Sequence, residues 1–282
     1  MNIMITGAKG FIAHNLISKI SKSHKVYLLV NGDSYEFVDN KITLNLLNKK
    51  HVQLLMNEEI KVDAIVHAAA KLADKYNVYD NSLFFDNAFM YKSLILIINK
   101  FMPKRVLNFS SIAVYPNKDG EYFEDSEIKP SVNNEGLYGI SKFCGENLLD
   151  ICCKGTNIAN LRISQVYSET MKVREDMIFE VMKRELKQKN TITVYGNCKR
   201  VSNFIDIDTL VNKILFFLGN DISGIFNIGG NNLSYKDLAS TIIEKYGNNK
   251  SIIKCIDKGV SSRVFINTDK FNKLELSNNQ LQ

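Results

Sequence analysis

A chain of 282 residues, 45% hydrophobic, can bury one large core or a core plus a smaller lobe; no apolar run approaches the roughly 18 residues of a membrane span. The net charge of +6 comes from lysines interspersed with acids along the sequence, the pattern of a solvated surface, which argues against a nucleic-acid or membrane partner. Dispersed histidines (His14, His24, His51, His67) and cysteines without ligand or disulfide spacing (Cys144, Cys152, Cys153, Cys198, Cys255) exclude a metal centre and a Ser-His-Asp set and read as reduced thiols; with an N-terminal apolar run too short for a signal peptide, they predict a cytoplasmic protein.

The first thirteen residues, MNIMITGAKGFIA, predict a short buried strand, a glycine turn and a helix over residues 11–21. Gly7 permits the turn, Gly10 lets backbone approach a pyrophosphate, and the helix N-terminus, opened by Phe11 and Ile12, favours an anion. A small residue at Ala13 permits close helix-to-strand packing. Lys25 to Val30 and Val62 to His67 predict further buried strands, each preceded by a helix. A long apolar helix spans Leu83 to Lys100, and the strand Arg105 to Phe109 runs into Ser110 and Ser111. Tyr138 to Cys152 is a helix, Asn157 to Ile163 a strand and Met177 to Gln188 a helix. Continuous apolar strands alternating with helices predict an α/β fold, a Rossmann-type doubly wound parallel sheet covered on both faces.

From about Gln165 the elements shorten: strands at Thr191 to Tyr195 and Gly224 to Ile228, helices near Ile207 to Leu218 and Tyr235 to Tyr246. The division expected is a dinucleotide-binding domain over 1–164, with a return segment at about 205–228, and a smaller, interleaved C-terminal substrate lobe built from 165–204 and 229–282.

Tyr138 and Lys142, four apart on a helix, share one face. The spacing recurs at Tyr195 with Lys199 and Tyr246 with Lys250, but only Tyr138 can be matched with serines at the carboxyl end of a parallel strand, where open α/β sheets bind ligands. A phenol titrates near 10 in water, so it needs a neighbouring cation to act as a base at neutral pH, and Lys142 supplies one. Ser111 then holds a substrate oxygen while Tyr138 exchanges its proton.

With these residues in view, the chain resembles the extended short-chain dehydrogenases/reductases of the NAD-dependent epimerase/dehydratase family, which act mostly on nucleotide-activated sugars. The likeness rests on TGAKGFIA (6–13), VDAIVHAAA (62–70), Asn87, FSSIAVYP (109–116), YGISK (138–142), LRISQVY (161–167), residues 192–210 and GIFNIGG (224–230). It implies catalytic Ser111, Tyr138 and Lys142. It implies cofactor contacts from Gly7, Gly10, Phe11, Ile12, Asn31, Asn45, Leu46, Ala68, Ala69, Ala70 and Asn87, with Tyr138 and Lys142. Gln165, Arg200 and Arg263 fall at substrate positions, and a nucleotide-sugar substrate and a homodimer are expected. Asn31 stands where an acid would select NAD or an arginine NADP, which leaves both cofactors open. Ser202 occupies a common arginine position, for which Arg200, two residues earlier, is the candidate substitute. Gln165 and Ser168 stand where an Asn and a Gly are common.

Dehydratases of this family carry an acidic pair directly after the catalytic Ser or Thr. Here Ile112 and Ala113 follow Ser111, and neither can move a proton. A 4-ketosugar reductase and a 4-epimerase remain equally compatible. The stretch HAAAKLADKYNVYDN with VYP resembles the ketosugar epimerase-reductases that make GDP-fucose. The alternatives are a nucleotide-sugar dehydratase and a dinucleotide-binding regulator without turnover; intact Ser111, Tyr138 and Lys142 argue against the regulator.

Overall fold

In the computed structural model, which describes residues 1–171 and 175–279, the N-terminal half forms β1 (Asn2–Thr6), α1 (Phe11–Ile20), β2 (Lys25–Val30), β3 (Glu36–Val38), β4 (Lys41–Thr43), α2 (Lys49–Met56), β5 (Ala64–His67), α3 (Ser82–Phe101), β6 (Arg105–Ser111), β7 (Gly120–Tyr122), α4 (Gly136–Cys152) and β8 (Asn157–Ile163). The remainder forms β9 (Gln165–Tyr167), α5 (Ile178–Lys189), β10 (Thr191–Tyr195), β11 (Val201–Asp206), α6 (Ile207–Gly219), β12 (Gly224–Ile228), β13 (Asn231–Ser234), α7 (Tyr235–Tyr246), β14 (Ile252–Ile256), β15 (Val264–Ile266) and α8 (Asp269–Asn279). Residues 172–174 and 280–282 of the expected lobe lie outside the described residues.

Eight strands make the main sheet in the order β12-β8-β6-β5-β1-β2-β4-β3. Every neighbouring pair is parallel except β3 with β4. Side chains alternate across it as a strand requires. Ile3 and Ile5 of β1 pack under α1 and α6 with Leu16, Leu210 and Ile214. Met4 faces the other way, into Ile65, Tyr91, Leu94 and Leu149 under α3 and α4. Each fully buried aliphatic side chain contributes roughly 1.5–3 kcal/mol, so both faces of β1 are pinned. Chain order reverses beside β1, where β2 lies on one side and β5 on the other, and that switch point opens a crevice at the carboxyl ends of the strands.

After β8 the chain leaves the sheet and returns through α6 to β12. The intervening and following segments make a three-stranded sheet (β13-β11-β9), a parallel pair β10–β14 and a parallel pair β15–β7. Phe179, Ile192, Val194, Phe204, Tyr235 and Leu238 give the first two a core of their own.

One expectation falls, on the cysteines, and one pair of strands was not expected. Between β2 and α2 a hairpin, β3 and β4, turns at Asp39, whose φ is +56°, and β4 extends the main sheet beside β2. Three-residue strands carry too little apolar pattern to be read from sequence. The cysteines are also not all free, since Cys198 and Cys255 form a disulfide across a separation of 57 residues with Cα atoms 5.4 Å apart. Pairing of β10 with β14 sets Val194 opposite Cys255, and the turn after β10 brings Cys198 back onto it; spacing along the chain gives no sign of this. Cys144, Cys152 and Cys153 are free.

Candidate active site

Gly7 leaves β1 with φ +66°, and a Cβ there would lie 2.8 Å from the Ala69 Cα, so glycine is what lets the turn close onto the segment after β5. Gly10 caps α1 without a side chain, leaving the first amides of the helix uncapped toward the crevice, with their partial positive charge. Phe11 and Ile12 begin the helix half-buried against the core. Beside the turn lies a cavity of about 340 Å³ walled by Gly7, Asn31, Asn45, Leu46, Ala69 and Ala70, among others; Ala68 leads into it. Asn87 in α3 is buried and uses its amide on backbone, accepting from Lys71 N (2.9 Å) and donating to Lys71 O (3.0 Å) and Leu83 O (2.9 Å). It therefore holds the cavity wall in place. A residue that sequence reasoning missed stands in the same wall: Lys71 pairs with Asp86 (2.6 Å) and Ser82 (2.8 Å). In so lysine-rich a chain its residue type carried no signal.

On the other side of β5, Ser111 ends β6 and accepts from Ala113 N at 3.1 Å, starting a single 3₁₀ turn. Gly139 seats α4 against that turn, for a Cβ there would be 2.1 Å from the Ala113 carbonyl oxygen. Tyr138 packs on Ala113 as a result. One helical turn on, Lys142 is 2% exposed. Its Nζ donates to Phe109 O (2.8 Å) and stands 5.6 Å from the centre of the Tyr138 ring. Burial pulls its pKa down to about 8, against the opposing pull of Glu146. The fold thus brings the strand-end serine, the phenol and the ammonium group to one edge of the sheet.

Two buried side-chain polar atoms among the described residues have no protein partner, His67 Nε2 and Ser164 Oγ. Both stand where parallel strands end, His67 closing β5 and Ser164 directly following β8. Ser164 gave no sequence signal, being one hydroxyl residue inside an apolar run. His67 Nδ1 pairs with Thr6 Oγ1 at 2.9 Å. Burial holds this imidazole down to about 3, with the Lys142 charge adding to the effect. The folded protein keeps His67 neutral while the unfolded chain takes up a proton below about pH 6.5. Its share of stability therefore falls on acidification, by about 1.4 kcal/mol per pH unit between 6.5 and 3. Urea unfolding at pH 7 and pH 5 is expected to show about 2 kcal/mol more loss in the wild type than in His67→Asn; equal losses would remove His67 from the acid response.

A second cluster forms where β9, β11 and α7 meet. Gln165 Nε2 donates to Tyr235 OH (3.2 Å) and Ser202 Oγ (3.3 Å), and the Arg200 guanidinium lies 4.4 Å over the Tyr235 ring. Arg263 sits beside it through the bridge between Val201 and Arg263, and it pairs with Asp119 at 2.8 Å on an exposed surface. Gln165, Arg200 and Arg263 thus come from three distant segments into one neighbourhood. Sequence reasoning missed Tyr235, which organises the cluster, and Asp119.

Residues 3–229 match the model of the NAD dependent epimerase/dehydratase family. Among solved structures, the chain is similar to UDP-N-acetylglucosamine 4-epimerase from Bacillus cereus, with 21% identity, TM-score 0.76, and 97% of this chain and 89% of that one covered. It is similar to UDP-glucuronic acid 4-epimerase from Bacillus cereus in complex with NAD, at 21% identity and TM-score 0.78, covering 97% and 92%. It is also similar to dTDP-glucose 4,6-dehydratase from Bacillus anthracis str. Ames in complex with NAD, at 18% identity and TM-score 0.75, covering 97% and 89%. At these identities the likeness is one of fold.

Proposed function

The chain belongs to the NAD-dependent epimerase/dehydratase family, and from that premise we propose that it acts on a nucleotide-activated sugar, either as a 4-ketosugar reductase or as a 4-epimerase. The observation that carries this reading is the buried Lys142 ammonium, fixed by the Phe109 carbonyl beneath Tyr138. A lysine taken out of water at that depth needs a reason, and support of a phenolate is one.

The crevice fits a dinucleotide. Its walls combine small and apolar residues with the uncharged Asn31 and Asn45 and the paired Lys71 and Asp86, Gly7 lets the turn close where a Cβ would strike the Ala69 backbone, α1 begins without a side-chain cap, and the orphaned Ser164 hydroxyl lies at the same edge. Asn45, Leu46 and Asn31 would hold the adenosine half, Gly10, Phe11 and Ile12 the phosphates, and Ala68 to Ala70 the floor, with Asn87 keeping that floor in position. Asn31 carries no charge, which is compatible with either NAD or NADP. A bound nicotinamide would supply the hydride chemistry, given once in a 4-ketosugar reductase or taken and given back in a 4-epimerase. Ser111 holds the substrate oxygen, Tyr138 gives or takes its proton, and Lys142 lowers the cost of the phenolate.

Ile112 and Ala113, in the turn after Ser111, place no acid beside the sugar ring, which disfavours dehydration. For the substrate, Arg263 and Arg200 supply cationic forks suited to a pyrophosphate, with Gln165 alongside. α3 exposes Phe85, Phe89 and Leu96, and α4 exposes Ile151, an apolar stripe that suits a homodimer of paired helices.

Incubation with nucleotide 4-ketosugars and nucleotide hexoses, followed at the nicotinamide absorbance band and by chromatography of the sugars, tests the reading. Stoichiometric consumption of reduced cofactor is expected of the reductase, and sugar interconversion without net consumption of the epimerase. Tight cofactor binding with silence in every pairing would overturn the enzymatic assignment.

A further inference from the structure

The disulfide stands at a functionally pointed place. Cys198 lies two residues before Arg200, and Cys255 lies eight before Arg263, so the crosslink ties together the two segments that deliver the cationic groups of the second cluster. Three consecutive residues in the connecting turn have left-handed backbone: Gly196 (φ +70°), Asn197 (+51°) and Cys198 (+60°). Non-glycine residues rarely adopt this conformation unless their surroundings hold them in it. The turn is held by Gly196 N donating to Lys258 O (2.7 Å), by Asn197 N donating to Ile256 O (2.9 Å) and by the disulfide itself. It closes with Lys199 N on Gly196 O and passes directly to Arg200, whose carbonyl accepts from Tyr235 N at 2.9 Å.

Access is open, since Cys255 is exposed and Cys198 half-buried. The chain's other cysteines take no part in this cluster: Cys144 and Cys152 belong to α4, and Cys153 follows it directly.

We propose that Cys198 and Cys255 form a thiol-exchange site whose oxidised state fixes Arg200 and Arg263 at the spacing that grips the substrate's pyrophosphate, and whose reduction by a dithiol loosens that grip. In the exchange, one thiolate of the dithiol attacks a sulfur of the pair and releases the other cysteine as a thiolate. The second thiolate of the dithiol then resolves the mixed disulfide. Two electrons pass to the protein, both cysteines end as thiols after taking up protons from solvent, and the reductant leaves as its own disulfide. With the crosslink open, the left-handed turn can relax to ordinary backbone, and Arg200 loses its fixed position over Tyr235.

This inference rests on the nucleotide-sugar reading, and the test separates the two. Alkylation and mass spectrometry of the untreated protein should find three modified cysteines, and five after reduction with a phosphine. UDP, dTDP and GDP are then titrated calorimetrically into oxidised protein, reduced protein and the Cys198→Ser variant, with NAD and NADP titrated alongside. The best of the three diphosphates is expected to bind the reduced protein and the variant on the order of tenfold more weakly, within the range typical of couplings between linked sites. Affinity for the dinucleotides should be unchanged, which shows that the fold persists. Five alkylated cysteines at the outset, or equal diphosphate affinity in both redox states, would overturn the switch alone. Failure of all three diphosphates to bind the oxidised protein would overturn both the switch and the nucleotide-sugar assignment.

Discussion

Replacing Tyr138 by phenylalanine is expected to lower turnover by about a hundredfold or more, the scale of general acid-base groups, while leaving affinity for the dinucleotide as it was. The ring can stay where it is, because Leu83, Ala113 and the neighbouring Leu137 pack it from the apolar side; only the hydroxyl is lost. The pH dependence supplies a second readout. Lys142 titrates at about 8 because burial disfavours its charge, so near neutral pH it is mainly the ammonium form that lies under the phenol. As pH rises through 8 that charge disappears, and with it the support for a phenolate. Wild-type turnover should therefore decline on the alkaline side, whereas the residual rate of Tyr138→Phe should show no such decline. Turnover within a few-fold of wild type would remove Tyr138 from the proton path.

What the sequence revealed and what it hid follow from how the elements are stabilised. β2, β8, β10 and β12 and the helix α7 lie where the apolar pattern puts them: β2, β8 and β12 are largely buried strands of the main sheet, β10 alternates buried Ile192 and Val194 with less buried neighbours, and α7 has a regular amphipathic period. The short strands β7, β9, β13 and β15 did not show. They owe their pairing to partners far along the chain, as Val264 to Ile266 owes it to Gly120 to Tyr122, and three or four residues hold no period of their own. The same division runs through the site. That Ser111 ends a strand and that Tyr138 and Lys142 share one helix was legible, because an apolar run and a helical spacing place them there. Lys71, Ser164, Asp119 and Tyr235 matter through what stands next to them in space, and no local pattern announces that. The disulfide is the extreme case, set by the register of β10 on β14 together with the turn that brings Cys198 back onto Cys255.

The second large effect is expected behind the site. Arg162 and Glu146 are 1% and 2% exposed and form an ion pair at 2.8 Å, with a second contact from Arg162 Nε to Glu146 Oε1 at 3.0 Å. Ser110, adjacent to Ser111, donates to the same carboxylate. Arg162 also donates to Tyr115 OH (2.8 Å), which in turn donates to Asn227 Oδ1 (2.8 Å). The network thus joins β6, α4, β8 and β12 below the strand-end serine. Arg162→Met leaves a carboxylate buried without its counter-charge, and the expected cost is about 3–5 kcal/mol. For a chain of this size that lowers the melting temperature by roughly 10 °C. Adding Glu146→Leu should recover most of the loss, because an apolar pair of similar volume replaces a buried ion pair at little or no cost. Turnover should not recover with it. Without Glu146 the Ser110 hydroxyl has lost its anchor, and the end of β6 is free to shift Ser111 relative to Tyr138; a shift of an ångström at reacting groups can cost about a hundredfold. A single variant that melts with the wild type would show that the pair contributes nothing to stability, and a double variant with full activity would show that Ser111 is positioned by β6 and the Ala113 turn alone.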